Sequence, residues 1–353
     1  MVDFLIVGQG IAGSVLALQL LKHSQRILVI NNRKNNVASS VAAGIYNPIT
    51  GREMTQSWFA EALFPYLLDF YREAEKTLGT RFLWPMPIFR PFLTYQERTA
   101  WLQKVIEGDS TPFVKEVTKA TFHQENMVPP YGGIVLDQSG YLDVKGFLKA
   151  TQSYLQTQHA YVEADFMYDH VHFGKYVKYQ NIVARRIIFC EGPQAKKNPF
   201  FPMLPFRLVK GELLKVSLQQ PLGIIYNRGV FVLPKAAHET IVGATYDWQD
   251  ESLKITAKAR KILEERLYST FKLSCTVRDQ QAGIRPATFD RRPFIGLHPQ
   301  CAQLAIFNGL GTKGVSLAPY FAKIFVEHLL LQKELPREVQ LRRVGFYGHN
   351  QGR

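Results

Sequence analysis

Cysteine is scarce in this chain of 353 residues: Cys190, Cys275 and Cys301 stand far apart and are odd in number. Such a set excludes a disulfide framework and points to reduced thiols in a cytoplasmic compartment. Neither CxxC nor HxxxH spacing occurs. His170 and His172 alternate as if on one strand face, but no further ligands cluster beside them, so no metal site is expected. No apolar run approaches the roughly 20 residues of a membrane span. At the N-terminus Phe4–Val7 runs straight into a glycine-rich turn and not a small-residue cleavage site, so no signal peptide is expected. A nucleophile–base triad and a carboxylate pair are also missing.

Basic residues, by contrast, are in surplus: 43 Lys and Arg against 29 Asp and Glu give a net charge of +14. That balance favours an anionic partner, either nucleic acid or a phosphorylated ligand. The cations are nevertheless spread along the chain, gathering only as Arg33-Lys34, Lys196-Lys197 and Arg342-Arg343. No recognised nucleic-acid-binding pattern accompanies them, and a generally basic surface is the simpler reading. The length exceeds what one growing core accommodates, which suggests two domains.

The most informative local pattern opens the chain. An apolar strand, Phe4–Val7, leads into Gly8-Gln9-Gly10-Ile11-Ala12-Gly13, then a helical stretch to about Leu21 and a second apolar strand, Ile27–Ile30. This is a βαβ unit with GxGxxG at the strand-to-helix turn. Gly8 permits the turn, Gly10 lets a pyrophosphate approach, and Gly13 lets helix and strand pack closely. The N–H groups around Ile11 and Ala12 then face the phosphates at the positive end of the helix. Asn31 and Asn32 stand where an acid usually meets the adenosine ribose. Arg33 and Lys34 follow, which keeps the 2′-phosphate of NADP open as a ligand of this unit.

Beyond the second strand the chain departs from an uninterrupted nucleotide-binding sheet. A helical stretch, Ser57–Leu78, and an irregular Pro-rich segment, Trp84–Pro91, intervene before a strand with a glycine stop returns at Ile187–Gly192. The C-terminal region adds Gly283-Ile284-Arg285-Pro286-Ala287-Thr288-Phe289-Asp290 and Asn308-Gly309-Leu310-Gly311-Thr312-Lys313-Gly314, the latter opening a helix from about Val315 to Leu331. Strand candidates between them include Glu212–Ser217, Val230–Leu233 and Thr240–Ala244.

Together with Ser39-Ser40, Ala43-Gly44, Gly140–Asp143, Val209–Leu213 and Val242–Thr245, in this order, these motifs resemble the D-amino-acid oxidase / glycine oxidase / sarcosine oxidase superfamily of FAD-dependent oxidoreductases. The resemblance implies an α/β fold with a split Rossmann-like FAD-binding domain (1–56, 130–203, 280–353) and a mostly antiparallel substrate domain (57–129, 204–279). It implies FAD as cofactor, bound without a covalent link because Gly283 stands where some sarcosine oxidases carry a flavin-linking cysteine. It places Gly8, Gly10, Ile11, Ala12, Gly13, Asn31, Asn32, Ser39, Ala43, Gly44, Gly192, Gly283, Arg285, Gly309, Gly311, Thr312, Lys313 and Gly314 around that cofactor.

The implied reaction passes a hydride from the carbon of an amine or amino acid to flavin N5, with an electron acceptor that the sequence leaves open. Arg285 is the candidate grip for a substrate carboxylate, against the alternative of an ion pair with Asp290. Asp290 itself reads as a turn former. Lys313 and Tyr246 are further candidates for the catalytic pocket. One departure stands out: Phe231-Val232-Leu233-Pro234 replaces a Tyr-x-x-Pro segment, so a hydroxyl that helps hold the carboxylate in glycine oxidase is missing. Two other readings stay open. Ala43–Pro48 is similar to the FAD domain of the bifunctional enzyme that modifies tRNA wobble uridines, whose companion methyltransferase domain is not in this chain. The third is a flavin-binding protein without turnover.

Overall fold

The computed structural model describes residues 1–344 except 33–37, 52, 108–110, 119–130, 220–221, 237–238 and 272–273. Residues 4–7 are continuously apolar, as suits a parallel strand covered on both faces. Val2–Val7 is such a strand, lying between Ile27–Asn31 and Ile182–Phe189 and parallel to both. Tyr161–Glu163 extends this sheet beyond Ile27–Asn31, while Val177–Tyr179 and Val171–His172 extend it antiparallel beyond Ile182–Phe189. Cys301–Asn308 also runs parallel to Ile182–Phe189 and carries Phe294–His298 on its other edge.

Six helices are described: α1 (Ile11–Lys22), α2 (Ala60–Leu78), α3 (Tyr95–Ile106), α4 (Val144–Thr157), α5 (Ala257–Thr270) and α6 (Gly314–Leu331). α1 and α6 pack against each other, and α2 packs against α6. Leu16, Leu20, Leu63, Leu67, Phe321 and Phe325 share one apolar core there. By length and composition α6 is apolar enough to cross a membrane, but much of it is buried in this core.

A second sheet holds, from edge to edge, Cys275–Thr288, Phe206–Leu218, Glu239–Gly243, Val230–Ala236, Ile225–Arg228, Ile88–Pro91, Gly133–Leu136 and Val114–Thr118. Every pairing in it is antiparallel except Ile225–Arg228 on Ile88–Pro91. The three strand candidates read between the glycine motifs all lie in this sheet. α5 covers one of its faces through Leu263 and Leu267, which join Leu214, Val216 and Val232. The mixed α/β architecture is the one expected.

Two local readings need correction. The Pro-rich segment is not irregular throughout: it forms the strands Leu83–Pro85 and Ile88–Pro91. Pro85 and Pro91 end their strands and Pro87 lies between them, so these rings largely avoid the ladder that a missing N–H would interrupt. Nor do His170 and His172 share a strand face, because His170 belongs to a short 3₁₀ turn that precedes Val171–His172. Among the described residues no group of three His, Cys, Asp or Glu side chains is placed to hold a metal ion.

Candidate active site

The turn after Val7 is shaped by its glycines. Gly8 has φ of +96°, and a Cβ there would lie 2.6 Å from Cys190 O. A Cβ on Gly13 would lie 1.9 Å from Gly8 O, so helix and strand approach as closely as backbone permits. α1 has no capping side chain of its own at Gly10; Ser39 Oγ instead accepts the Ile11 N–H at 3.2 Å. Asn31 is buried at the end of its strand, where its Oδ1 accepts the Gln9 N–H at 2.9 Å. Asn32 donates through Nδ2 to Asp165 at 2.7 Å. Arg33 and Lys34, the residues that kept NADP open, lie outside the described residues.

These groups border a cavity of about 830 Å³ that continues from the first sheet to the second. That volume lies toward the upper end of ordinary cofactor and ligand sites. Gly8, Gly10, Ile11, Ala12, Asn31, Asn32 and Ser39 line it, followed by Ala43, Gly44 and Gly192. Gly283, Arg285, Gly311, Thr312, Lys313, Gly314 and Tyr246 line it further on. Gly13 and Gly309 stand off the wall. Gly13 serves helix–strand contact, and Gly309, with φ of +79°, makes the turn toward α6. Asn308 joins the segments: its Nδ2 donates to Gly192 O at 3.0 Å, and its Oδ1 accepts from the Gly309 N–H at 2.8 Å. Gly311 N–H donates to Pro286 O at 3.1 Å, tying this turn to the Gly-x-Arg-Pro strand.

The wall fits a dinucleotide with a ring system attached. Two helix N-termini, at Gly10 and Lys313, border it without a capping side chain of their own, so the positive end of each helix lies in the wall. Asn47 lines the cavity with a buried Nδ2 that has no partner among the described residues. Gly211 and Gly283 face each other across paired strands and keep that stretch free of side chains.

Arg285 lies in this cleared stretch. Its Nη1 donates to Thr245 O at 3.1 Å, and its guanidinium sits 4.7 Å from the Tyr246 ring centre. Burial pulls its pKa below the usual arginine range. Among the described residues no carboxylate pairs with it. The alternative partner, Asp290, is engaged elsewhere: its Oδ2 meets Arg343 Nε at 2.8 Å, and its Oδ1 accepts the Arg292 N–H at 3.0 Å. Asp290 therefore holds its turn, as expected, and also anchors Arg343. Tyr246 is more than half exposed (59%) and forms part of the wall.

Lys313, at the N-terminus of α6, donates to Ser57 Oγ at 3.0 Å and Thr50 Oγ1 at 3.1 Å. Burial, and then Arg292 and Arg291, bring its pKa down to about 8. Phe231 lines the cavity where the missing tyrosine hydroxyl was noted.

Several wall residues escaped sequence reasoning. Glu191 accepts from Tyr168 OH at 2.6 Å and Asn198 Nδ2 at 2.7 Å, and burial raises its pKa to about 7. Arg90 and Arg228, on neighbouring strands of the second sheet, also line the cavity. Single arginines in strands carry no local pattern that would have marked them.

The family described as DAO, FAD dependent oxidoreductase, matches residues 3–328. The chain belongs to this family. A curated relative, the bifunctional protein ThiO/ThiG of Trichormus variabilis, is 24% identical over 361 residues, covering 95% of this chain and 53% of that protein. The tRNA 5-methylaminomethyl-2-thiouridine biosynthesis bifunctional protein MnmC of Actinobacillus pleuropneumoniae is 22% identical, covering 95% of this chain and 56% of its own length. This chain thus spans about half the length of these curated relatives. Among solved structures, glycine oxidase from Geobacillus kaustophilus superposes with a TM-score of 0.77 at 20% identity, covering 95% of both chains. The DAO family is FAD-dependent, and the cavity described above suits that cofactor.

Proposed function

We propose that this chain oxidises a C–N bond of an amine or amino acid that bears a carboxylate, using FAD held without a covalent link. The observation that carries the reading is Arg285: a guanidinium in the cavity wall, largely buried and without a carboxylate of its own among the described residues. A planar fork of N–H donors matches a carboxylate in two parallel hydrogen bonds. When bound, FAD supplies the acceptor for two electrons.

The chain's own residues do the rest. Arg285 orients the substrate through its carboxylate, with Tyr246 stacked behind the guanidinium. Lys313 adds positive charge at the start of α6, and Phe231 excludes water from the intervening wall. Gly8, Gly10, Ser39 and the first turn of α1 would hold the pyrophosphate of FAD, and the start of α6 would supply positive charge to its ring system. Two observations support non-covalent binding: Gly283 offers no side chain for a link, and Cys190, the cysteine in the cavity wall, is buried with its thiol pKa pushed far above the usual value.

An anaerobic titration of the FAD-loaded protein with amino acids and secondary amines tests this. Bleaching of the flavin spectrum by carboxylate-bearing amines is the expected result. Arg285→Met then weakens their binding by about 2–5 kcal/mol, seen as a raised concentration for half-bleaching. A spectrum bleached by dithionite but by no amine refutes the reading.

A further inference from the structure

One feature of the cavity wall has no part in holding a single carboxylate. Arg90 and Arg228 lie on the two parallel-paired strands of the second sheet, where Ile225 is opposite Ile88 and Tyr226 opposite Phe89. Both are nine-tenths buried or more, at 4% and 5% exposure. Arg90 donates through Nη1 to Ile49 O at 2.9 Å and through Nη2 to Gly51 O at 2.7 Å. Arg228 bonds Glu97 through Nη2. Arg90 Nε and Arg228 Nη1 are left buried without a partner among the described residues.

The charges do not balance. One acid, Glu97, serves two guanidiniums, and burial followed by Arg228 brings the Arg90 pKa down to about 10. A buried cation without a counter-ion is costly, and the cost is removed when an anion arrives. The position is also suggestive. Arg90 holds the carbonyls on either side of Thr50, whose hydroxyl takes a hydrogen bond from Lys313. Arg90 and Lys313 therefore grip one short hairpin in the same wall, with Arg228 on the strand beside Arg90. Charged wall residues from the second sheet and α6 are Arg90, Arg228, Arg285 and Lys313, all cations, whereas Asp165 and Glu191 belong to segments flanking the first sheet.

We infer that Arg228, with Arg90 beside it, forms a second anion subsite, so that the substrate is an amine carrying two acidic groups. One acid meets Arg285 and Lys313; the other, a carboxylate or a phosphate-like group, meets Arg228 and Arg90. The inference rests on the reading of the reaction given above, but its test does not require turnover.

Calorimetric titration of the FAD-loaded protein with butyrate, glutarate and 3-phosphonopropionate compares one acid with two. Glutarate or 3-phosphonopropionate binds at least tenfold tighter than butyrate, and whichever is tighter identifies the second anion. In Arg228→Gln that ratio falls toward one. In Arg228→Lys, which keeps the charge but loses the fork, it takes an intermediate value. In Arg278→Gln, at an exposed site on Cys275–Thr288, it persists. Equal binding of mono- and dianions by the unaltered protein, or a ratio indifferent to Arg228→Gln, overturns the subsite and leaves Arg90 as a structural clamp on residues 49–51 and Arg228 as the partner of Glu97. Should Arg228→Gln fail to fold, the unaltered protein and Arg228→Lys decide. Because these acids are not oxidised, failure of the subsite is distinct from failure of amine oxidation, which the bleaching experiment reads.

Discussion

A Cβ placed on Gly211 would lie 2.1 Å from Arg285 Nη2 and 2.3 Å from its Cζ. What it meets is the far end of a flexible side chain, which can swing aside, unlike the backbone oxygen that a Cβ on Gly13 would meet. Gly211→Ala should therefore fold with a melting temperature within a few degrees of the unaltered protein. Its guanidinium, however, is displaced, and KM for a carboxylate-bearing amine rises by about tenfold or more, since small misplacements of a positioning group are expensive. Melting and steady-state kinetics on the same preparation check both halves. Arg285 was legible because it stands in a dense motif, Gly-x-Arg-Pro. Lys313 was legible for the same reason, but its hydroxyl partners Thr50 and Ser57 lie more than 250 positions away. Arg90 and Arg228 were not legible, because what distinguishes them is a missing counter-ion, and only the folded chain reveals that.

At the scale of elements, α6 shows how a sequence irregularity is absorbed. Pro319 sits one turn beyond Val315 and has no N–H to give its carbonyl. Tyr71, from α2, donates its hydroxyl to that carbonyl at 3.1 Å. The phenol is wholly buried, and burial holds its pKa well above the ordinary tyrosine range, so it stays a donor. Tyr71→Phe leaves the Val315 carbonyl buried and unpaired at the cavity end of α6. The expected loss is about 1–3 kcal/mol in denaturant unfolding, with an unchanged m-value. The βαβ unit and the two long helices were readable from periodicity and glycine punctuation. The segment Trp84–Pro91 was misread because three prolines outweighed its apolar residues. Its strands are secured by partners at 133–142 and 225–226, which no local window contains.

For the molecule as a whole, the mixed α/β class followed from ordered motifs spread across the chain, whereas the strand order of the second sheet did not. Its one parallel contact joins residues 88–89 to 225–226, a pairing settled by packing and not by any turn signal. Net charge was equally ambiguous when read from composition. Lys196 is paired with Glu251, Arg342 with Glu334 and Arg343 with Asp290, so several of the short basic clusters are neutralised locally. Arg33 and Lys34, and the tail beyond residue 344, fall outside the described residues.

The placement of the cations bears on how quickly a ligand is captured. A protein with a net charge of +14 whose cavity gathers its unneutralised cations on one side presents an attractive field to a small anion before any contact is made. Fields of this kind raise encounter rates and collapse as salt shortens their reach. The association rate constant for an anionic amine, followed by stopped flow, should fall by roughly tenfold between low and high ionic strength, whereas a neutral amine should show little dependence. A flat profile for both would mean that the field does not extend beyond the cavity mouth and that selection begins only on contact.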